Sequence, residues 1–432
     1  MSDLNRRNFL ANSAAGASAL SAAHLFAAQS RTEKTAAGRK PVRMLIMGVN
    51  GRGKQLIKGF LSFDHVDVAY IAEPDENVIP SAVKMVTDRG REEPKVVKDF
   101  RTVLDRDDWD VLVCAAPDHW HALATILACQ AGKDVYCEKP ASHNVIEGRR
   151  AVQAARHYNR VVGTGTQRRS GADFKKAIEI VQSGRLGDVN MARCWINSTR
   201  PNIGYKEVTE PPSNLDFNLW AGPGPGNDYK ENLVHYHWHW RWAYGTGECG
   251  NNGIHALDIA RWGMGIESPD RVTCGGGKYF FDDDQETPDT QLAQFDFDDG
   301  VITWEHRTWC RRGIEDSSFG IAFYGSEASL VCGSGGYTIY RGTKEIEKEK
   351  SAERELAHLG NFLDCLETRE RPNADIEINH RSTSLCHLAN IAWRTQKTLK
   401  WDGKQEEFIG EPQANALLGR DYRAGFELPE IG

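Results

Sequence analysis

The 432-residue sequence contains no run of 18 or more strongly apolar residues, which excludes a conventional transmembrane bundle. It has no CxxC pair and no tight Cys/His grouping along the chain, so its ten cysteines do not spell a zinc site. It also lacks an excess of positive charge. Lys plus Arg (53) against Asp plus Glu (60) leaves −7, a field that repels phosphate backbones, and nucleic acid is not an expected partner. No internal repeat is evident. What is present is ordinary for folded protein: 40% hydrophobic and 26% charged residues, with 16 Pro and 41 Gly. At about 150 residues per domain the length allows two or three domains, each able to bury a sizeable core without metal or disulfide staples.

The N-terminus departs from this pattern. Arg6-Arg7-Asn8-Phe9-Leu10 precedes a weakly hydrophobic stretch, 11–28, made mostly of Ala, Ser and Gly. Paired arginines before such a stretch form the pattern of a twin-arginine export signal, the alternative being a disordered or tag-like tail. Residues 1–40 are therefore set aside as signal and linker, with cleavage between 28 and 40 compatible with the small residues there. The expectation is a periplasmic or otherwise exported protein that meets the twin-arginine export machinery and keeps no membrane anchor when mature. That route carries chains folded in a reducing cytosol, so buried thiols are expected, as at Cys114 and Cys332 in their apolar runs.

From 41 to 165, short apolar runs alternate with amphipathic stretches, the signature of a parallel sheet wrapped by helices. Strands are expected at 43–48, 67–72, 110–115, 134–137 and 161–165, and helices at 54–61, 119–131 and 145–158. After 166 the pattern becomes β-rich: a helix at 173–183 opening on a capping Asp173, then strands at 189–196, 271–281, 291–297, 301–308, 317–324 and 337–340. Asp299-Gly300 marks a hairpin. The region 166–400 thus reads as an α+β domain with a largely antiparallel sheet, closed by helices at 352–368 and 379–397. An insertion at 199–244, rich in Pro, Gly, Asn and aromatics, is long enough to suggest function, and 401–432 reads as a polar tail.

Four segments carry chemistry. In Gly48-Val49-Asn50-Gly51-Arg52-Gly53, after the first strand, Gly48 and Gly53 take the first and third positions of GxGxxG. Asn50 replaces the second glycine, with Asn's tolerance of positive φ allowing the loop to close. Glu73, ending the second strand, is placed to accept ribose hydroxyls and to repel a 2′-phosphate, which favours NAD, while Arg52 and Lys54 keep NADP open. Pro117 to His121 and Cys137-Glu138-Lys139-Pro140 end the next two long strands, where ligands gather in an open α/β sheet. Lys139, directly before a proline, is held out of any helix. Finally, His255 opens an expected helix beside an Asn/Gly-rich loop and shares a face with Asp258. The helix dipole is expected to keep its imidazole neutral, as a base requires.

Together with Gly165-Thr166-Gln167-Arg168-Arg169 and Gly253-x-His255-x-x-Asp258, these motifs occur in the order found in the Gfo/Idh/MocA oxidoreductases, named for glucose-fructose oxidoreductase and inositol dehydrogenase. The sequence resembles that family over about 42–400, and its leader and aromatic insertion resemble the exported, carbohydrate-associated branch. The resemblance implies an N-terminal Rossmann dinucleotide-binding domain joined to a C-terminal α+β domain with an open, mostly antiparallel sheet, and association into a dimer or tetramer. By motif position it implies that Lys139 orients the reacting hydroxyl and His255 exchanges its proton. Cofactor contacts fall to Gly48, Asn50, Gly51, Arg52, Gly53, Glu73, Pro117, His121, Glu138, Lys139 and Gln167. One departure stands out: members of the inositol-dehydrogenase type carry Asp four residues before that His, and here the position is Asn251, which cannot relay a proton.

The insertion contains His235-Tyr236-His237-Trp238-His239-Trp240-Arg241-Trp242. If extended, it places three histidines on one face and aromatics on the other. An aromatic wall for a sugar ring is the reading adopted, a transition metal on the histidines the alternative, and no metal is expected. Substrate contacts are accordingly assigned to Arg168, Tyr236, Trp238, Trp240, Asn251 and His255. Asp282-Asp283-Asp284 reads as a solvated loop. The expected activity is NAD-dependent oxidation or reduction of a secondary alcohol of a small carbohydrate, with a redox-neutral NAD-dependent glycosidase as the alternative and a binding protein without turnover as a third class.

Overall fold

A computed structural model describes residues 39–431, so residues 1–38 of the expected signal lie outside the described part. Six parallel strands, β1 (Val42–Met47), β2 (Val66–Ala72), β3 (Lys95–Val97), β4 (Val111–Cys114), β5 (Asp134–Cys137) and β6 (Val162–Thr164), form one sheet in the order β3-β2-β1-β4-β5-β6. Helices cover both faces, which is why Met44, Leu45 and Ile46 are all fully buried although they alternate in direction. Leu45 packs with the helices Asp118–Gln130 and Val145–His157, and Met44 and Ile46 with Arg52–Phe60. The latter face is completed by the distant helix Glu355–Thr368, whose Phe362 meets Phe60 and Tyr136 edge to face.

The second sheet has ten strands in the order β14-β13-β12-β11-β7-β10-β9-β8-β15-β16. They are β7 (Val189–Asn197), β8 (Arg271–Gly277), β9 (Thr290–Phe297), β10 (Gly300–Arg307), β11 (Phe319–Gly325), β12 (Ser329–Gly333), β13 (Gly336–Arg341), β14 (Lys344–Lys350), β15 (Leu399–Asp402) and β16 (Glu407–Phe408). Only β7 and β10 pair in parallel, and the β9–β10 hairpin turns at the expected Asp299-Gly300. One face is covered by the helices Ala172–Gln182, Ile254–Met264 and Ile376–Thr395. No helix among the described residues is long and apolar enough to cross a membrane.

Several local expectations are corrected. The edge strand β14 was missed because its KEIEKEK sequence is charged and mostly exposed, a composition that guards an edge against further pairing. The helix expected to open on Asp173 is capped at Gly171, and the Asp173 carboxylate instead accepts from Arg354 at 2.6 Å. The insertion is folded around its own core of Leu215, Phe217, Trp220, Tyr229, Leu233, Trp238 and Tyr244. The acidic run is not merely solvated: Asp283 is 2% exposed and accepts from the Ile203 amide and from Gln285, while Asp284 accepts from Asn232, Lys206 and Lys230. Those carboxylates fasten the insertion to the second domain. The tail is not simply polar either, since Phe426 packs against Trp120 with ring centroids 5.6 Å apart.

Candidate active site

The carboxyl ends of β1, β4 and β5 open on a cavity of about 520 Å³ at the point where strand order reverses, the expected ligand position in such a sheet. Its nucleotide end is shaped by backbone. Gly48 has φ +83°, and a Cβ there would lie 2.8 Å from the Ala116 nitrogen. A Cβ on Gly53 would lie 1.9 Å from the Gly48 carbonyl oxygen, so Gly53 serves close packing beneath the loop instead of lining the cavity. Asn50 lines the cavity but does not adopt positive φ; Gly48 takes that conformation, correcting the expectation placed on Asn50. Gly51 has open space around it, which leaves room for a bound group to approach the helix N-terminus.

The Glu73 carboxylate accepts from the Val49 and Asp75 amides at 2.8 and 3.1 Å, and burial pushes its pKa up. It braces the glycine loop while remaining in the cavity wall. Arg52 donates to Glu138 at 2.7 Å and to Glu355 at 2.6 Å, so its guanidinium is committed to carboxylates and is not a free receptor for a 2′-phosphate. Burial pushes the Glu138 carboxyl upward, but Arg52 and Lys139 prevail and bring it below the usual range. Gln167 donates to Glu355 at 3.2 Å and leaves a buried Oε1 facing no protein donor among the described residues. These residues fit a dinucleotide: a cradle that a Cβ would fill, a helix N-terminus and an acid at the end of β2.

Beyond the nucleotide end, side chains take over. Lys139 Nζ donates to the Asn251 carbonyl oxygen at 2.7 Å and to its Oδ1 at 3.2 Å; the Lys139–Pro140 peptide is cis. Burial lowers the Lys139 pKa, opposed by Glu138, Asp118 and Glu248. His255 enters the same cavity from the first turn of Ile254–Met264, and its buried Nδ1 has no partner among the described residues. Its pKa is held well below the usual value by burial first and by the nearby cations Arg168, Lys139 and Arg52. Asp258 does not act with it: Arg169 pairs with that carboxylate at 2.7 Å, and Ser382 donates to it at 2.6 Å.

Pro117 and His121 also line the cavity. His121 is primarily a tie, with Nδ1 2.6 Å from the Pro140 oxygen and Nε2 2.8 Å from the Ala116 oxygen. Cys114, His121 and Cys137, from two strand ends and the helix between them, bring donor atoms within 4.8 Å, a grouping the linear spacing did not reveal. Both imidazole nitrogens are already engaged, so the cluster joins two strand ends to a helix.

The insertion supplies the opposite wall through His235, Tyr236, Trp238 and His239. Residues His237–Trp240 form a 3-10 turn, so the three histidines do not share a face. His235 lies 2.7 Å from Asp75 Oδ2 and His237 3.1 Å from the Asn232 oxygen, while His239 stacks on Trp238 at 3.6 Å between centroids. Two residues assigned to substrate lie outside the cavity wall: Trp240 is 2% exposed beneath Arg200, and half-buried Arg168 has its guanidinium over Phe319. The sequence reading also passed over Asp118, which lines the cavity, accepts from Thr246 at 2.7 Å and is raised by burial to about 6. Its signal was its place at the head of a helix beside Pro117.

Comparison with known proteins agrees with this architecture. Residues 42–166 match a family model described as "Oxidoreductase family, NAD-binding Rossmann fold", 174–331 match "GFO/IDH/MocA C-terminal domain", and 323–428 match "Oxidoreductase family, C-terminal alpha/beta domain". A "Glycosyl hydrolase family 109 protein" of Shewanella pealeana is 27% identical over 202 residues, covering 43% of this chain and 44% of that protein. The "Uncharacterized oxidoreductase YrbE" of Bacillus subtilis is 27% identical over 161 residues, covering 37% and 46%. The chain thus spans under half the length of these curated relatives. Among solved structures, the WlbA dehydrogenase from Bordetella pertussis in complex with NADH and UDP-GlcNAcA aligns at TM-score 0.64 and 19% identity, covering 84% of this chain and 99% of that one. The aldose-aldose oxidoreductase from Caulobacter crescentus complexed with glycerol aligns at TM-score 0.64 and 18% identity, covering 84% and 100%. With its NAD-binding domain, its second sheet and its ordered motifs accounted for by three models of one group, the chain belongs to the Gfo/Idh/MocA oxidoreductase family.

Proposed function

We propose that the protein is an NAD-dependent oxidoreductase acting on a secondary alcohol of a sugar or glycoside. The observation that carries this reading is the meeting of Lys139 Nζ and a His255 imidazole whose Nδ1 has no partner among the described residues, in one cavity with the nucleotide loop. NAD, when bound, supplies the hydride acceptor and donor. Lys139 then orients the reacting hydroxyl and His255 takes or returns its proton, with the Tyr236 and Trp238 wall facing the sugar. Asn251 holds Lys139 in place but, as an amide, cannot relay a proton.

Export through the twin-arginine route belongs to the same proposal. A compartment without a recycling NAD pool requires a cofactor folded in before transport and restored within each catalytic cycle. The test is to express the full sequence with its leader, isolate the protein from the cell envelope, release its cofactor and follow the nicotinamide absorbance as glycosides are added. Bound NAD that changes redox state with a sugar supports the reading. Envelope protein without dinucleotide overturns the captive-cofactor part, and an inert cofactor across sugars overturns the enzymatic part. A homo-oligomer, dimer or tetramer, is expected when the same preparation is sized.

A second reading is favoured by the glycosyl hydrolase name of the Shewanella relative. In it, temporary oxidation acidifies a neighbouring C–H, the aglycone is eliminated, water adds and the ketone is reduced again, with no net redox change. Release of free aglycone without accumulation of ketosugar selects this route.

A further inference from the structure

A second cavity of about 560 Å³ lies behind the aromatic insertion, between it, the helix Ile376–Thr395 and the C-terminal tail. Its volume falls in the range of small-molecule sites, roughly 300–1,000 Å³. It adjoins the first cavity without joining the same wall: Thr246 lines it, while the Thr246 hydroxyl donates to Asp118 in the first. The inference therefore stands apart from the reading of the first cavity.

The helix Ile376–Thr395 presents His387, Asn390, Ile391 and Arg394 to this cavity, at the i, i+3, i+4, i+7 spacing of one face. His387 and Asn390 are only 5% and 6% exposed. Both are engaged within the protein, His387 Nε2 lying 3.5 Å from Ser142 Oγ and the Asn390 side-chain oxygen accepting from Gln291 at 3.2 Å. The cavity residues that keep buried polar atoms without a partner among the described residues are His143, at both ring nitrogens, and Asn144, at Nδ2, and such atoms are costly unless engaged. Asn390 is held in place by its bond to the Thr246 oxygen at 2.8 Å, and burial brings His387 down to about 3, so its ring is neutral.

Trp242 faces the same space with the Arg394 guanidinium 5.2 Å from its ring centroid. Arg394 makes no hydrogen bond and no ion pair with any described residue; Glu286 is the acid whose field it feels. Arg420 and Arg423 also line the cavity, but Arg420 is paired with Glu147 at 3.0 Å and Arg423 donates to the Gly222 oxygen and to Asn218. Asp421 lines the cavity as well, and the cation there with no hydrogen bond or ion pair among the described residues is the exposed fork of Arg394, a shape suited to a carboxylate.

We infer that this cavity is a second saccharide site, taking a carboxylate-bearing sugar unit whose ring meets the Trp242 side chain and whose carboxylate meets Arg394. The indole offers an apolar surface to pyranose C–H groups, and the His143 ring and the Asn144 amide offer partners to hydroxyls.

The test titrates the full-length, NAD-loaded protein with glucuronic acid and its methyl glycoside, using methyl glucoside as the neutral control, by ligand-observed NMR and calorimetry. Binding of the uronates at least about tenfold tighter than the neutral sugar is expected. Arg394→Gln and Trp242→Phe should each weaken it, the first by about tenfold or more, with melting temperature and NAD content unchanged. Lys139→Met should leave it intact. Absence of uronate binding to the unsubstituted protein, equal binding of the neutral sugar, or persistence of binding in Arg394→Gln would each overturn the proposal. Loss of binding in Lys139→Met would assign the sugar to the first cavity and overturn it as well.

Discussion

The two ends of the main cavity are built from different materials. At the nucleotide end the shape comes from main chain, Gly48 over Gly53 and a helix N-terminus, and the charged side chains Arg52 and Glu138 are largely spent on each other. At the opposite end the backbone only delivers side chains, and atoms such as His255 Nδ1 have no partner among the described residues. A general cofactor site can be made once from backbone geometry, whereas a substrate site must leave polar groups available and accept the cost of burying them.

This contrast can be broken most severely at Gly53. Gly53→Ala forces a methyl group into the Gly48 carbonyl, and nicotinamide fluorescence titration should detect no NAD binding, with the second sheet still folded by circular dichroism. At the other end, Lys139→Met and His255→Ala should each lower kcat by about 10²-fold or more while NAD content stays the same. Unaltered turnover in both variants would remove the proton-transfer role.

The helix that carries His255 sharpens the distinction between reacting and supporting groups. Asp258→Ala strands Arg169, whose side chain is 7% exposed, and should cost about 3–5 kcal/mol in denaturant unfolding. His255→Ala, one turn away, should cost far less stability than activity. The smallest effect concerns Asp118, whose pKa rises from 3.8 unfolded to about 6 folded. The folded state holds that proton more tightly, so this group's contribution falls as pH climbs from about 4 to about 6. Asp118→Asn should flatten that decline, seen as a variant that gains on the unsubstituted protein between pH 4 and pH 7 in denaturant midpoints.

Five strands of the first sheet were legible because they read as short apolar runs between glycines and helices, whereas β3 was not, its Lys95 and Val96 being exposed at the sheet edge. Gly48, Glu138, Lys139 and His255 were legible because each sits in a local motif at a strand or helix end. Trp240 and Arg168 were assigned to substrate because their identity suits sugar contact, while packing buries Trp240 and turns the Arg168 guanidinium onto Phe319. The alternation proposed for the histidines failed when His237–Trp240 closed into a tight turn, which no periodicity argument over ten aromatic-rich residues resolves.

Local order in the chain thus determined the glycine turn, the Lys before Pro140 and the His at the head of its helix, since each depends on neighbours within a few residues. Tertiary structure decided which of these groups keep a free atom. Arg52 reaches Glu355 some 300 positions away, Asp258 is taken by Arg169, and the insertion is pinned by the carboxylates of Asp283 and Asp284. Such pairings depend on which surfaces meet when the core closes, and hydrogen-bond partners brought together by that closure leave no periodic trace in the order of residues.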